Sequence, residues 1–205
     1  MPRIPYVEKE AATGKVKELY DTFEKQFNVR GVPNVVKALS NSPGLAGRVF
    51  PLANYFMTES SLNPRLRELA VLILMKRLNC DYGFTRHIEI AERVGLTRAQ
   101  IDSIGSYQTS ALFNDADKLI LRYAEDLTLK ALVDDQLFRQ VQNLIGQKDI
   151  LELTAATAFW NMMARNLNAL QVELEVGRDL SGSPVEARAG EQRSHLQGDE
   201  TAQDA

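Results

Sequence analysis

The stretch from Asn63 to Met75, NPRLRELAVLILM, constrains the fold more than any other. Asn63 followed by Pro64 is a helix start: an N-cap side chain, then a proline whose fixed φ suits the first helical turn. Leu66, Leu69, Ala70, Ile73 and Leu74 spread apolar surface around most of that helix instead of along one stripe. A helix apolar on most sides is buried on most sides, so other elements have to surround it. The longest apolar run, residues 70–75, is far shorter than the roughly 20 residues a bilayer span needs, so the burial is against protein.

The surrounding elements read as helices. Behind Thr13, the spacing Val16, Leu19, Tyr20, Phe23, Phe27 is an amphipathic stripe that Gly31 and Pro33 end. Ser42-Pro43 opens a helix presenting Leu45, Val49, Phe50, Ala53, Phe56 and Met57. After a tight turn near Leu78 and Asn79, a helix runs from about Cys80 to Val94 and stops at Gly95. Thr97 to Gln100 is a capping box for a short helix. Asn114 and Asp134 cap two more, the second ending before Gly146, and a long helix is expected over residues 148–176. No segment alternates with period two, so the expected class is all-α, a helical bundle without a sheet.

Residues 1–12 carry two prolines and read as an extended arm on the surface or on a neighbouring subunit. From Gly177 onward the chain has no aromatic, Ile or Met and is rich in Gly, Ser and charge. Such a segment buries too little apolar area to offset its ordering entropy. The expectation is one helical domain over residues 1–176 and a disordered tail over 177–205, in which His195 is a solvated residue.

A net charge of -3 shows no basic footprint, which argues against nucleic acid and anionic membrane as partners. The opening MPRIPYV lacks a signal-peptide pattern, and the single cysteine has no partner for an internal disulfide. Both point to a reducing, cytoplasmic setting. Two histidines and one cysteine make a poor zinc set, so no metal and no cofactor is expected.

Chemistry concentrates between Arg67 and Ile90. An imidazole titrates near pH 6.5, so His87 suits general acid-base work, or else is a core histidine bonded to a carbonyl. Cys80 lies two helical turns before it, with Gly83 and Phe84 between. It is either a reactive thiol at a helix start or a small core hydrophobe. Glu68, amid apolar neighbours on the preceding helix, is a helix-start charge favoured by the macrodipole, an ion-pair partner of Arg65 or Arg67, or, since a buried carboxylate needs a partner, a group turned toward the Cys80–His87 face. Later, Asn161, Arg165 and Asn168 form a polar stripe, with Arg165 suited to gripping a carboxylate or to a structural network. Phe159 and Trp160 read as core or subunit contact rather than substrate stacking.

The order Glu68, Cys80, His87, with the flanks NPRLRELAVL and HIEIAERVGLT and the late FWNMMARNLNAL, resembles the carboxymuconolactone decarboxylase family, which belongs with the alkyl hydroperoxidase D-like proteins. The resemblance implies an alkyl hydroperoxidase D-like bundle that assembles as a homo-oligomer, a trimer or hexamer. In the hydroperoxidase branch a Cys-x-x-Cys pair cycles through a disulfide; here the second cysteine position is Gly83, so that cycle cannot close within the chain. In the decarboxylase branch the stretch commonly reads Tyr-Glu-Trp, and this chain has Tyr82-Gly83-Phe84. The missing side chain at Gly83 is expected to leave room for a bulkier ligand.

The resemblance implies cofactor-free decarboxylation, or a related lyase step, on a small carboxylated lactone or enolisable acid. His87 would supply the proton, Glu68 would orient it, and Tyr82 and Arg165 would bind oxygen atoms, with Gly83, Phe84 and Asn161 beside the substrate. Two alternatives stand: a Cys80-dependent antioxidant resolved by an external thiol, and a non-catalytic binder of small acids.

Overall fold

The computed structural model describes residues 1–27 and 31–175, apart from the Phe27 side chain. The expected tail, with His195, and the expected helix end at Val176 lie outside the described residues.

Every regular element among the described residues is helical. The helices are α1 (Gly14–Phe27), α2 (Asn34–Leu39), α3 (Pro43–Asn54), α4 (Pro64–Arg77), α5 (Asp81–Arg93), α6 (Arg98–Asp102), α7 (Asp115–Lys130) and α8 (Asp135–Leu170). The caps read from sequence are in place. Asn63 Oδ1 accepts from the Arg65 amide at 2.9 Å, Asn114 from Asp117 at 2.8 Å, and Asp134 from Leu137 at 2.9 Å. The capping box of Thr97 and Gln100 closes in both directions.

The expected pair of late helices is present, since the run α8 is two helices that meet at a kink at Gly146, whose φ of 86° and ψ of 167° are not helical. Glycine takes that conformation without a Cβ penalty. One departure stands out. The second helix stops at Leu170, short of Val176, because Gln171 turns left-handed at φ 51°. The N-terminal arm lies on its own chain: the Arg3 amide donates to Leu170 O at 2.9 Å, and Tyr20 Oη to Val7 O at 2.7 Å.

The wide apolar surface of α4 has a simple cause. Val71, Leu74 and Met75 pack into one buried cluster with α2, α3 and the C-terminal half of α8. Leu69, Ala70, Leu72 and Ile73 pack into a second, with α7 and the residues of α8 around Ile150. The helix lies between two cores, and every residue from Arg67 to Met75 is buried.

After α4, Asn79 at φ 50° reverses the chain into α5, so that the first turns of α4 face the later turns of α5. At the end of α3, a single π turn, Tyr55–Glu59, loosens the backbone and turns its carbonyls toward α4. Such turns are common at functional sites.

Candidate functional site

The hairpin of α4 and α5 brings Glu68 and His87 together. Glu68 Oε2 lies 2.7 Å from His87 Nδ1, and Glu68 is fully buried. Its other oxygen accepts from Arg67 Nε at 2.9 Å. Arg67 is itself buried and donates to Phe56 O, a carbonyl of the π turn, at 2.8 Å. On the far side of the ring, Trp160 Nε1 donates to His87 Nε2 at 2.9 Å. The result is a continuous buried chain, Arg67–Glu68–His87–Trp160.

This arrangement fixes the resting proton. Trp160 can only donate, so Nε2 is the acceptor nitrogen, and the imidazole hydrogen sits on Nδ1, facing Glu68. Burial pushes the Glu68 carboxyl up, but the adjoining His87 and Arg67 outweigh it and hold the group below its ordinary value. Glu68 is therefore a carboxylate whose role is to orient the ring.

His87 and Trp160 line a cavity of about 190 Å³. Its other walls are mostly apolar, with Val36, Phe50, Met75, Phe159 and Met163 among them. It adjoins a wider vestibule of about 670 Å³, lined in part by Arg67, Arg86, Arg93 and Glu175. Arg86 lines both spaces. Tyr82 also lines the inner cavity, but its hydroxyl is engaged, donating to Glu175 Oε1 at 2.8 Å and accepting from the Val35 amide at 3.2 Å. Burial pushes the Tyr82 phenol far up, so it stays protonated.

Of Cys80, Gly83, Phe84, Asn161 and Arg165, Gly83 is the one that lines the cavity. Cys80 is the N-cap of α5, is 1% exposed, and does not line the cavity. Burial pushes its thiol up, and a hydrogen bond from the Gly83 amide offsets only part of that. Gly83 lines the cavity but opens no room. A Cβ there would meet Met75 Sδ and Cε, the latter at 2.8 Å, and Cys80 Sγ at 3.2 Å. The Met75 thioether occupies the place of the missing side chain, which corrects the expectation of added space.

Phe84 bridges the two apolar clusters beneath Lys76, whose Nζ is 5.7 Å from the ring centroid, and is not a cavity wall. Asn161 donates to Thr128 Oγ1 at 2.9 Å and accepts from Arg165 at 2.6 Å, a local network that also stands apart from the cavity. Asn168 caps the end of α4 by donating to Leu78 O at 2.8 Å.

Three participants were missed by sequence reasoning: Trp160 as the partner of His87, and Arg86 with Glu175 at the mouth. One signal was present for the first, since a buried indole N–H needs an acceptor and the chain has a single tryptophan. No group of three or more His, Cys, Asp or Glu among the described residues is placed to hold a metal. None of the described helices is long and apolar enough to cross a membrane.

The all-helical fold is that of alkyl hydroperoxidase D-like proteins. Residues 43–126 match the model of the carboxymuconolactone decarboxylase family. Among curated proteins, YnjA of Escherichia coli strain K12 is 27% identical over 115 residues, 55% of this chain and 63% of that protein's length. A peroxidase-related protein of Ralstonia eutropha JMP134, described as an alkylhydroperoxidase AhpD core, superposes with a TM-score of 0.74 at 19% identity, covering 89% of this chain and 97% of that one. The debrominase Bmp8, as a cysteine-to-alanine variant bound to 2,3,4-tribromopyrrole, superposes with a TM-score of 0.67 at 18% identity, covering 79% and 86%. At these identities the structural likenesses speak for the fold alone.

Proposed function

We propose that this protein is a cofactor-free carboxy-lyase acting on a small, single-ring unsaturated acid or lactone, with His87 as the proton-transfer residue. The observation that carries this reading is that His87, clamped between Glu68 and Trp160, opens onto a small apolar cavity. Among the residues lining that cavity, His87 is the one whose side chain type exchanges protons near neutral pH. The size suits one ring, since an apolar cavity of about 150 Å³ is enough for benzene.

In this mechanism the carbon–carboxylate bond breaks and carbon dioxide leaves. The bonding electrons pass into a conjugated carbonyl and form an enolate. His87 Nε2, which carries no proton at rest, first takes one from solvent, and the carbon then receives that proton, which returns the ring to its resting tautomer. Glu68 keeps the Nδ1 proton and balances the imidazolium charge. Protonation at Nε2 removes the acceptor that Trp160 uses at rest, so the indole has to release the ring before His87 can donate. A dry pocket favours the first step, because a carboxylate stripped of water gives up its charge more readily.

The thiol-dependent alternative draws little from the geometry, since Cys80 is buried, its thiol is pushed up, and it does not face the cavity.

The test is carbon dioxide release from 4-carboxymuconolactone by the protein and by His87→Gln. The expected result is turnover that falls roughly 10²–10⁴-fold in the variant, the range of positioned acid-base catalysis. Equal turnover in both would remove His87 from the mechanism. Absence of release from both, together with ligand binding, would leave a non-catalytic binder.

A further inference from the structure

The mouth of the cavity holds an unusual ion pair. Arg86 lines both the inner cavity and the vestibule, and its Nη1 lies 3.6 Å from Glu175 Oε2, beyond hydrogen-bond reach. Glu175 is held mainly by its other oxygen, which accepts from the Asn34 amide at 2.9 Å and from Tyr82 Oη at 2.8 Å. Its Oε2 is buried without a hydrogen bond. A carboxylate and a guanidinium that meet unconstrained form two parallel bonds. Here the carboxylate is anchored to two other donors, and the arginine is left with a loose contact.

The remaining charge at the vestibule makes that contact more telling. Arg67 is already matched by Glu68 at 2.9 Å. Arg93 has its Nε on the Glu89 carbonyl at 3.2 Å. Glu175 is the lone carboxylate among the vestibule walls, facing three arginines. The walls of the inner cavity carry no acid, so an anion entering the ring site meets Arg86 first.

We propose that Arg86 is the carboxylate-recognition residue of this cavity and that Glu175 is its resident competitor, so that a ring acid binds by drawing Arg86 away from Glu175. The ring then lies inward against His87 and Trp160, and the carboxylate stays outward at the mouth. The inference rests on the cavity being a ligand site, as in the reading above, and not on the reaction assigned to it. It adds a constraint on the substrate. The carboxylate held at Arg86 is retained, so the reacting carbon is at the other end of the molecule, and a substrate that loses carbon dioxide carries a second carboxyl group.

The chain's single tryptophan lines the cavity, so its fluorescence reports occupancy without any turnover. The experiment titrates wild type, Arg86→Gln and Glu175→Gln with benzoate and with neutral benzamide, which has nearly the same shape. Wild type should bind benzoate roughly tenfold or more tightly than benzamide, the factor expected of one charge-assisted hydrogen bond. Arg86→Gln should bring that ratio close to one while leaving benzamide affinity in place, which also shows that the variant is folded. Glu175→Gln keeps an oxygen for Asn34 and Tyr82 but removes the competing charge, so benzoate should bind several-fold more tightly and benzamide unchanged.

A benzoate preference that survives in Arg86→Gln would overturn the assignment of that residue. Weaker benzoate binding in Glu175→Gln would overturn the competitor role, and no response of wild type to either ligand would overturn both. Failure of carbon dioxide release with the benzoate preference intact would fall on the reaction alone.

Discussion

Trp160 and His87, distant in the chain, share one hydrogen bond of 2.9 Å, and their rings meet edge to face with an interplanar angle of 84°. The indole therefore sets both the tautomer and the tilt of the imidazole. Trp160→Phe keeps an aromatic ring but leaves His87 Nε2 without its donor. Loss of one partner from a buried hydrogen bond costs about 1–3 kcal/mol, and chemical denaturation should show a loss in that range. A stability equal to wild type would mean that water replaces the indole.

Glu68 should be the least replaceable residue of the site. Glu68→Gln leaves the Arg67 guanidinium buried without a counter-charge, a change that costs about 3–5 kcal/mol in comparable buried pairs. Urea unfolding is expected to shift its midpoint accordingly, with the slope unchanged.

The same carboxylate makes the fold sensitive to acid. Because the folded-state value of Glu68 lies below its ordinary 4.5, the unfolded chain binds the proton more readily. The stabilisation is complete above the ordinary value and is lost as pH falls through the lower folded value. Melting temperature should fall with decreasing pH in that window, and less steeply in Glu68→Gln. Equal slopes in the two proteins would place the acid sensitivity elsewhere.

Cys80 should behave as packing. Native protein is expected to react with iodoacetamide at neutral pH far more slowly than the urea-unfolded chain, since only the thiolate attacks and this thiol is buried and pushed up. Cys80→Ser should keep within a few-fold of wild-type turnover. Rapid alkylation of the folded protein would reopen the thiol chemistry.

Gly83 and Met75 should be energetically coupled. In Gly83→Ala the new methyl displaces the end of Met75, a flexible side chain that also lines the cavity. Alanine regains about 1 kcal/mol of helix propensity, against an overpacking cost of about 1–3 kcal/mol. Melting temperature should therefore move little, while benzoate affinity falls roughly tenfold as the thioether shifts into the pocket. Adding Met75→Ala should restore binding, and a simple sum of the two single effects would count against the coupling.

What was legible in the sequence depended on short-range chemistry. Asn63-Pro64, the Thr97 capping box, Asn114, Asp134 and Gly95 each act within a turn or two of their own position, so helix starts and stops could be read one at a time. The partnership of Glu68 with His87 was also within reach, since the two helices are joined by a tight turn and a buried carboxylate needs a partner. Arg86 and Glu175 were not, because the second comes from the segment after α8 and meets the first only in the folded chain. Gly83 was misread for a related reason: a missing side chain implies space only if nothing else fills it, and Met75 comes from the facing helix. The stripe of Asn161, Arg165 and Asn168 was real as a pattern, but its hydrogen bonds run to Thr128 and Leu78 and not toward His87.

The two apolar clusters that flank α4 have unequal burdens. The inner cavity draws its apolar walls from the cluster built on α2, α3 and the end of α8, and takes none from the fully buried residues around α7. Substitutions that reshape the pocket therefore fall in one core while the other keeps the fold above its stability threshold. A chain divided in this way can exchange one substrate for another over evolutionary time without first having to become more stable.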